Sequence, residues 1–190
     1  MTLTAAARSQ PTSLISSIVE TMLDTVFGLP FHPLVVHATV VAVPLAAVLV
    51  AGAALWPRLR RWAGPLPLGV ALVALVLDPL STESGEALER RVGRGDLVAQ
   101  HAHLAEQLLP WLVGLVAVAA ALAWIWYTER PGSARPVPGR ALVAGVAALA
   151  VVGAVGTSVE VARIGHSGAK AAWSGTAQAD PVPAVAAGDR

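Results

Sequence analysis

Four long runs of apolar residues divide the chain, and each is almost free of charged side chains. A helix needs about 20 apolar residues to cross roughly 30 Å of hydrocarbon, and a charge at the bilayer centre costs about 3 kcal/mol. The runs therefore predict four transmembrane helices, at residues 34–56, 63–80, 104–126 and 141–162. The fold class that follows is an all-α, four-helix transmembrane bundle.

A shorter segment before these runs has a different pattern. Within residues 13–27, Leu14, Ile18 and Met22 share one helical face, whereas Glu20 and Asp24 lie on the other. This period predicts an N-terminal amphipathic helix at the membrane interface. A cleaved signal peptide is the rival interpretation, but the two acidic residues interrupt the apolar run that such a peptide needs.

The composition agrees with a membrane protein and narrows the chemistry. Hydrophobic residues make up 55% of the 190 residues and charged residues only 13%, which excludes an ordinary soluble domain. The net charge of +1 gives no basic surface for nucleic acid. With no cysteine, disulfides and thiolate metal sites are excluded. We expect an N-terminal segment at 1–28, a membrane domain at 29–173 and a disordered tail at 174–190.

Arginines in the connections predict the orientation. The connection between the first two runs carries three arginines, and the connection between the last two carries three more against a single acid. By the positive-inside rule both connections face the cytoplasm, so both termini of this multi-pass protein lie outside a bacterial cytoplasmic membrane. The arginines at 90, 91 and 94 argue the other way, although acidic residues share their connection.

The histidines gather at one end of the predicted bundle. Four antiparallel spans place the starts of spans one and three and the ends of spans two and four at the same membrane face. All five histidines belong to those ends: His32, His37, His101, His103 and His166. The acidic residues at the same ends include Asp78, Glu86, Glu106 and Glu160. Because ionisable groups at membrane depth are costly, this clustering predicts a functional site.

Helical geometry separates these histidines. His37 lies about 7 Å inside its span, whereas His32 lies about 140° away around the same helix, where it would meet the headgroups. We expect His37, His101 and His166 to share one pocket roofed by the N-terminal helix. Glu86 or Glu160 would then bond an imidazole and fix its tautomer, with Asp78 and Glu106 as further carboxylates around the site.

Two plainer interpretations stay open. Any one of these histidines near an interface can simply hydrogen-bond a backbone carbonyl or a headgroup. The segment Gly165-His166-Ser167-Gly168 is similar to a serine hydrolase signature, but no strand–turn–helix elbow surrounds it.

Four segments of the chain resemble a known family. They are residues 28–37 (GLPFHPLVVH), 84–89 (SGEALE), 101–104 (HAHL, with Leu109-Pro110-Trp111 after it) and 163–169 (RIGHSGA). Together they are similar to the bacterial membrane family termed domain of unknown function 2231, over about residues 28–173. The resemblance implies a four-span protein with no assigned activity. It also implies that positions matching His32, His37, His101 and His166 recur, whereas the position of His103 is often acidic.

These observations lead to two functional hypotheses. The first is a redox or metal-binding membrane protein, with haem b between His37 and either His101 or His166, because helical bundles present histidines into apolar slots. Copper or zinc on His32, His37, His101 and His166 is the variant. The alternative is a non-catalytic subunit of a larger membrane complex, or a partner-binding protein, without a cofactor. The expected partners are the lipid bilayer and either a redox protein or the other subunits of a membrane complex. No reaction can be assigned, so an enzymatic role is not expected.

Overall fold

The computed structural model describes residues 25–26, 29–92 and 95–174. Its elements, in chain order, are β1 (Thr25–Val26), β2 (Leu29–Pro30), α1 (Phe31–Leu55), α2 (Pro57–Ala63), α3 (Leu66–Val92), α4 (Asp96–Glu106), α5 (Leu108–Thr128) and α6 (Arg140–Trp173). Four helical stretches are long and apolar enough to cross a membrane: Phe31–Leu55, Leu66–Arg90, Asp96–Thr128 and Arg140–Trp173. The prediction of an all-α protein with four spans is confirmed.

Prolines define where the helices break. Trp56 precedes Pro57 and has an extended backbone, as a residue before proline prefers, so α1 ends there and α2 begins. The third span is split at Gln107, between α4 and α5. Pro110 has no N–H for the carbonyl of Glu106 four residues earlier, and its ring clashes with that carbonyl. The split leaves α4 as a separate helix above α5.

The four long helices form a closed ring. Helix α1 packs against α3 and α6, and α5 packs against the same two helices from the other side. Helix α4 continues α5 and packs mainly on α6. The core contains large side chains such as Leu112, Leu115 and Ile125 among many small ones. Trp111 lies directly over Gly156, where any Cβ would collide with the indole ring.

The N-terminal prediction falls mostly outside the described residues. Of the helix expected at 13–27, only Thr25 and Val26 are described, and they pair antiparallel with Pro30 and Leu29 instead of continuing a helix. The end of that prediction is therefore wrong. The expected disordered tail lies outside the described residues beyond residue 174.

Candidate functional site: two matched imidazoles

Two helices extend well beyond their predicted spans at the histidine-bearing end of the bundle. Helix α3 continues from the predicted end at residue 80 to Val92, and α6 continues from residue 162 to Trp173. The charged residues in these extensions suggested that the helices stopped. Instead, each extension carries a serine followed by a glycine, Ser84-Gly85 on α3 and Ser167-Gly168 on α6, and both serines are buried.

His32, at the start of α1, packs on the first of these serine-glycine pairs. Its Nδ1 lies 3.0 Å from Ser84 Oγ. Its ring lies over Gly85, where an added Cβ would be 3.0 Å from the imidazole Cε1. A Cβ at this position would force the ring to shift by a few tenths of an ångström, and the serine contact restrains the rotation of the ring.

His101, on α4, repeats this arrangement on the second pair. Its Nδ1 lies 3.0 Å from Ser167 Oγ. A Cβ on Gly168 would again lie 3.0 Å from the imidazole Cε1. The same distances at two places far apart in the chain indicate two copies of one structural unit.

The serine hydroxyls determine the tautomer of both rings. Ser84 Oγ donates to the carbonyl of Ser81 at 2.9 Å, and Ser167 Oγ donates to the carbonyl of Ile164 at 2.9 Å. A hydroxyl has a single hydrogen, so both bonds form together only when the imidazole Nδ1–H donates to the serine oxygen. A neutral imidazole that donates its Nδ1–H in this way keeps a lone pair on Nε2.

The two units are related by the ring of helices. One unit consists of α1 and α3, and the other consists of α4, α5 and α6. Around the bundle the long helices follow the order α1, α3, α5 and α6, and this order is unchanged when α1 is exchanged with α5 and α3 with α6. Each unit also buries an acid below its serine, Asp78 on α3 at 5% exposure and Glu160 on α6 at 7% exposure. The two halves of the bundle thus repeat the same contact between an imidazole and a serine.

The other predicted site histidines do not join this pair. His37 is exposed, and its Nδ1 bonds the carbonyl of Pro33 on its own helix. His166 is exposed as well. The residues described by the structure contain no group of three histidine, cysteine, aspartate or glutamate side chains able to hold a metal ion. Helices α1 and α6 turn His32 and Ser167, rather than His37 and His166, toward their neighbours, and the shared pocket of His37, His101 and His166 stays a prediction.

The carboxylates also differ from expectation. Glu86 is exposed, and the groups that fix the imidazole tautomers are serines rather than Glu86 or Glu160. The side chain of His103 is 73% exposed, and its Nδ1 lies 3.9 Å from a carboxylate oxygen of Glu106.

Glu160 has unsatisfied bonding capacity inside the bundle. One carboxylate oxygen accepts a hydrogen bond from Arg163 at 2.9 Å. Its other oxygen has no hydrogen-bond partner among the described residues, and neither has the hydroxyl of Thr157, one turn away.

Ser84 and Ser167 are the site residues that sequence reasoning missed. The available signal was the repeated Ser-Gly pair near the end of alternate helices. The apparent hydrolase motif around His166 is also explained, because Ser167 bonds His101 and not its neighbour. At 8% exposure and with its hydrogen donated to a carbonyl, Ser167 has the wrong environment for a nucleophile.

The opposite end of the bundle carries arginines that pair with an acid and with an aromatic ring. Arg60 is buried and donates to both carboxylate oxygens of Glu129, at 2.8 and 3.3 Å. Arg130 stacks on the indole of Trp126, 3.9 Å from the ring centroid. Such arginine and aromatic pairs are typical of the headgroup level of a bilayer.

The fold and the site define a class: a polytopic α-helical membrane protein whose two halves each present one serine-bound imidazole. The chain belongs to the predicted membrane protein family DUF2231, whose model matches residues 28–181. Neither the curated proteins nor the solved structures gave a significant match.

Proposed function

We propose that this membrane protein binds haem b in an electron-transfer role and that His32 and His101 are the residues that would hold it. The supporting observation is the matched pair of imidazoles. A ligating histidine almost always donates its second ring N–H to a fixed acceptor, which orients the ring and raises its basicity. Ser84 and Ser167 are such acceptors, and they leave each Nε2 free for iron.

The number of ligands favours haem over a bare metal ion. Copper and zinc sites take three or four protein ligands, whereas a porphyrin supplies four nitrogens itself and needs two from the protein. The matched site consists of two imidazoles, and the described residues offer no third histidine, cysteine or acid to complete a metal group. The proposal therefore replaces His37 and His166, which are exposed, with His32.

The bundle would support haem in two further ways. Gly85 and Gly168 let the rings lie close against α3 and α6, so that neither imidazole can rotate freely. Bound haem supplies one-electron chemistry at a potential set by its ligands and their hydrogen bonds. With the arginine-rich connections on the cytoplasmic side, the imidazoles would face outward and exchange electrons with a redox partner there.

An absorption spectrum of protein purified after expression with added haem precursor tests this proposal. We expect a Soret band with about one haem per chain, lost in both His32→Ala and His101→Ala. His103→Ala is the matched control, since its side chain is exposed, and it should keep the band. His37→Ala and His166→Ala should keep the band too. Its loss in either variant would support the pairing predicted from the sequence, in which His37 and either His101 or His166 hold the haem.

Absence of a Soret band from the intact wild-type protein, with or without a stoichiometric metal, would overturn the proposal. A second protein recovered in stoichiometric amount with that cofactor-free chain would support the non-catalytic subunit instead.

A further inference from the structure

An apolar groove runs between α1 and α6 on the outer surface of the bundle. It has a volume of about 390 Å³. Its lining includes Ala47, Val48 and Ala51 from α1, and Ala154, Val159 and Ala162 from α6. The groove also contains Ser158, whose hydroxyl donates to the carbonyl of Ala154 and so offers no free proton. The walls are therefore almost entirely apolar and suited to hydrocarbon.

Polar groups lie at one end of this groove. The face of α6 that carries Val159 and Ala162 continues, in steps of three or four residues, to His166 and Lys170, and both are exposed. On α1, His37 lies three helical turns before Val48 on the same face and is exposed too. Lys170 is the single lysine of the chain.

The length of the groove matches one leaflet of a bilayer. Ala162 and Ala154 are eight residues apart, which is about 12 Å along a helix. Half of a hydrocarbon core is about 15 Å thick. The groove therefore begins below the cationic end of α6 and is about as long as the acyl region of one leaflet.

We propose that the α1/α6 groove binds a phospholipid of net negative charge. One acyl chain lies between α1 and α6, and the phosphate meets the ammonium group of Lys170 and the imidazoles of His166 and His37. Arg163, the other cation near the groove, is already paired with Glu160. Among the described residues, the unpaired positive charge at the polar end of the groove is therefore that of Lys170. A basic group at the end of an apolar slot between spans is the arrangement that recognises anionic lipid headgroups.

This lipid site is independent of the proposed haem site. None of the groove residues belongs to the serine-imidazole pairs, and the histidines at its mouth are those that the haem proposal leaves out. The lipid experiment therefore works equally well on protein with or without haem.

Native mass spectrometry of the full chain released from vesicles of phosphatidylglycerol and phosphatidylcholine tests the site. We expect one retained phosphatidylglycerol per chain. Lys170→Gln should reduce the preference for the anionic lipid roughly fivefold, the effect of one lysine near the surface. Its control, Arg140→Gln, removes an exposed charge at the other end of α6 and should leave the preference unchanged.

A second pair of variants tests the groove itself. Ala162→Phe fills the groove and should abolish the retained lipid, whereas Ala120→Phe, on the exposed face of α5, should not. Equal retention of both lipids by the wild-type chain would overturn the proposal. Equal effects of Lys170→Gln and Arg140→Gln would also overturn it, as would equal effects of Ala162→Phe and Ala120→Phe. A retained isoprenoid quinone, or a dimer formed through the α1/α6 groove, would overturn it too.

Discussion

Arg60 and Glu129 form a two-point ion pair at the end of the bundle opposite the imidazoles. The guanidinium donates to both carboxylate oxygens and also bonds the carbonyl of Ala53 at 3.2 Å. The Arg60 side chain is only 4% exposed, so its charge depends on Glu129 for compensation. The pair joins α2 to the end of α5.

Removing the acid from this pair should destabilise the protein strongly. Glu129→Ala leaves a buried arginine without a counter-charge, which costs about 3 kcal/mol or more. Glu106→Ala removes an acid from a largely exposed pair and should cost less than about 1 kcal/mol. Thermal unfolding in detergent measures the loss of stability in both variants. A loss in Glu129→Ala as small as that in Glu106→Ala would show that Arg60 finds another partner or water.

Adding a methyl group under either imidazole should disturb the site. In Gly85→Ala and Gly168→Ala the new Cβ meets the ring at 3.0 Å, so the imidazole must move away from its serine. We expect lower stability and, if haem is bound, a shifted or weakened Soret band. Gly114→Ala is the control, since a Cβ there meets nothing within 4 Å and alanine is the better helix former by roughly 0.5–1 kcal/mol. A neutral effect at both imidazole positions would show that the close packing is dispensable.

The unpartnered hydroxyl of Thr157 predicts an unusual response to substitution. Thr157→Val keeps the shape and removes a buried group without a hydrogen bond, so the free energy of unfolding should stay constant or rise by about 1 kcal/mol. Thr39→Val should lower it by a similar amount, because Thr39 donates to the carbonyl of Val35 at 2.9 Å. Equilibrium unfolding distinguishes the two cases. Destabilisation by Thr157→Val would mean that water or a ligand bonds this hydroxyl.

The absence of cysteine from the sequence makes orientation easy to measure. Ser133→Cys lies in the connection between α5 and α6, and Ser174→Cys lies at the other end of α6. With arginine-rich connections inside, an impermeant maleimide should label position 174 in intact cells and position 133 only after lysis. The reverse pattern would place the imidazoles at the cytoplasmic face.

The sequence by itself determined the number of spans and the end at which the histidines gather. Both follow from quantities carried by each segment alone: the length of an apolar run and the alternation of direction between successive spans. The family resemblance agreed with them, and it also favoured His101 over His103 as a site residue.

The tertiary structure decided which side chains meet. A helix rotated by 100° presents a different residue to its neighbour, and that rotation is set by packing between helices, which no single segment encodes. His32 therefore reaches Ser84 while His37 faces outward, although both belong to α1. Ser84 and Ser167 escaped prediction because their helices continue past the apolar runs, where contacts between helices rather than hydrophobicity keep the backbone helical.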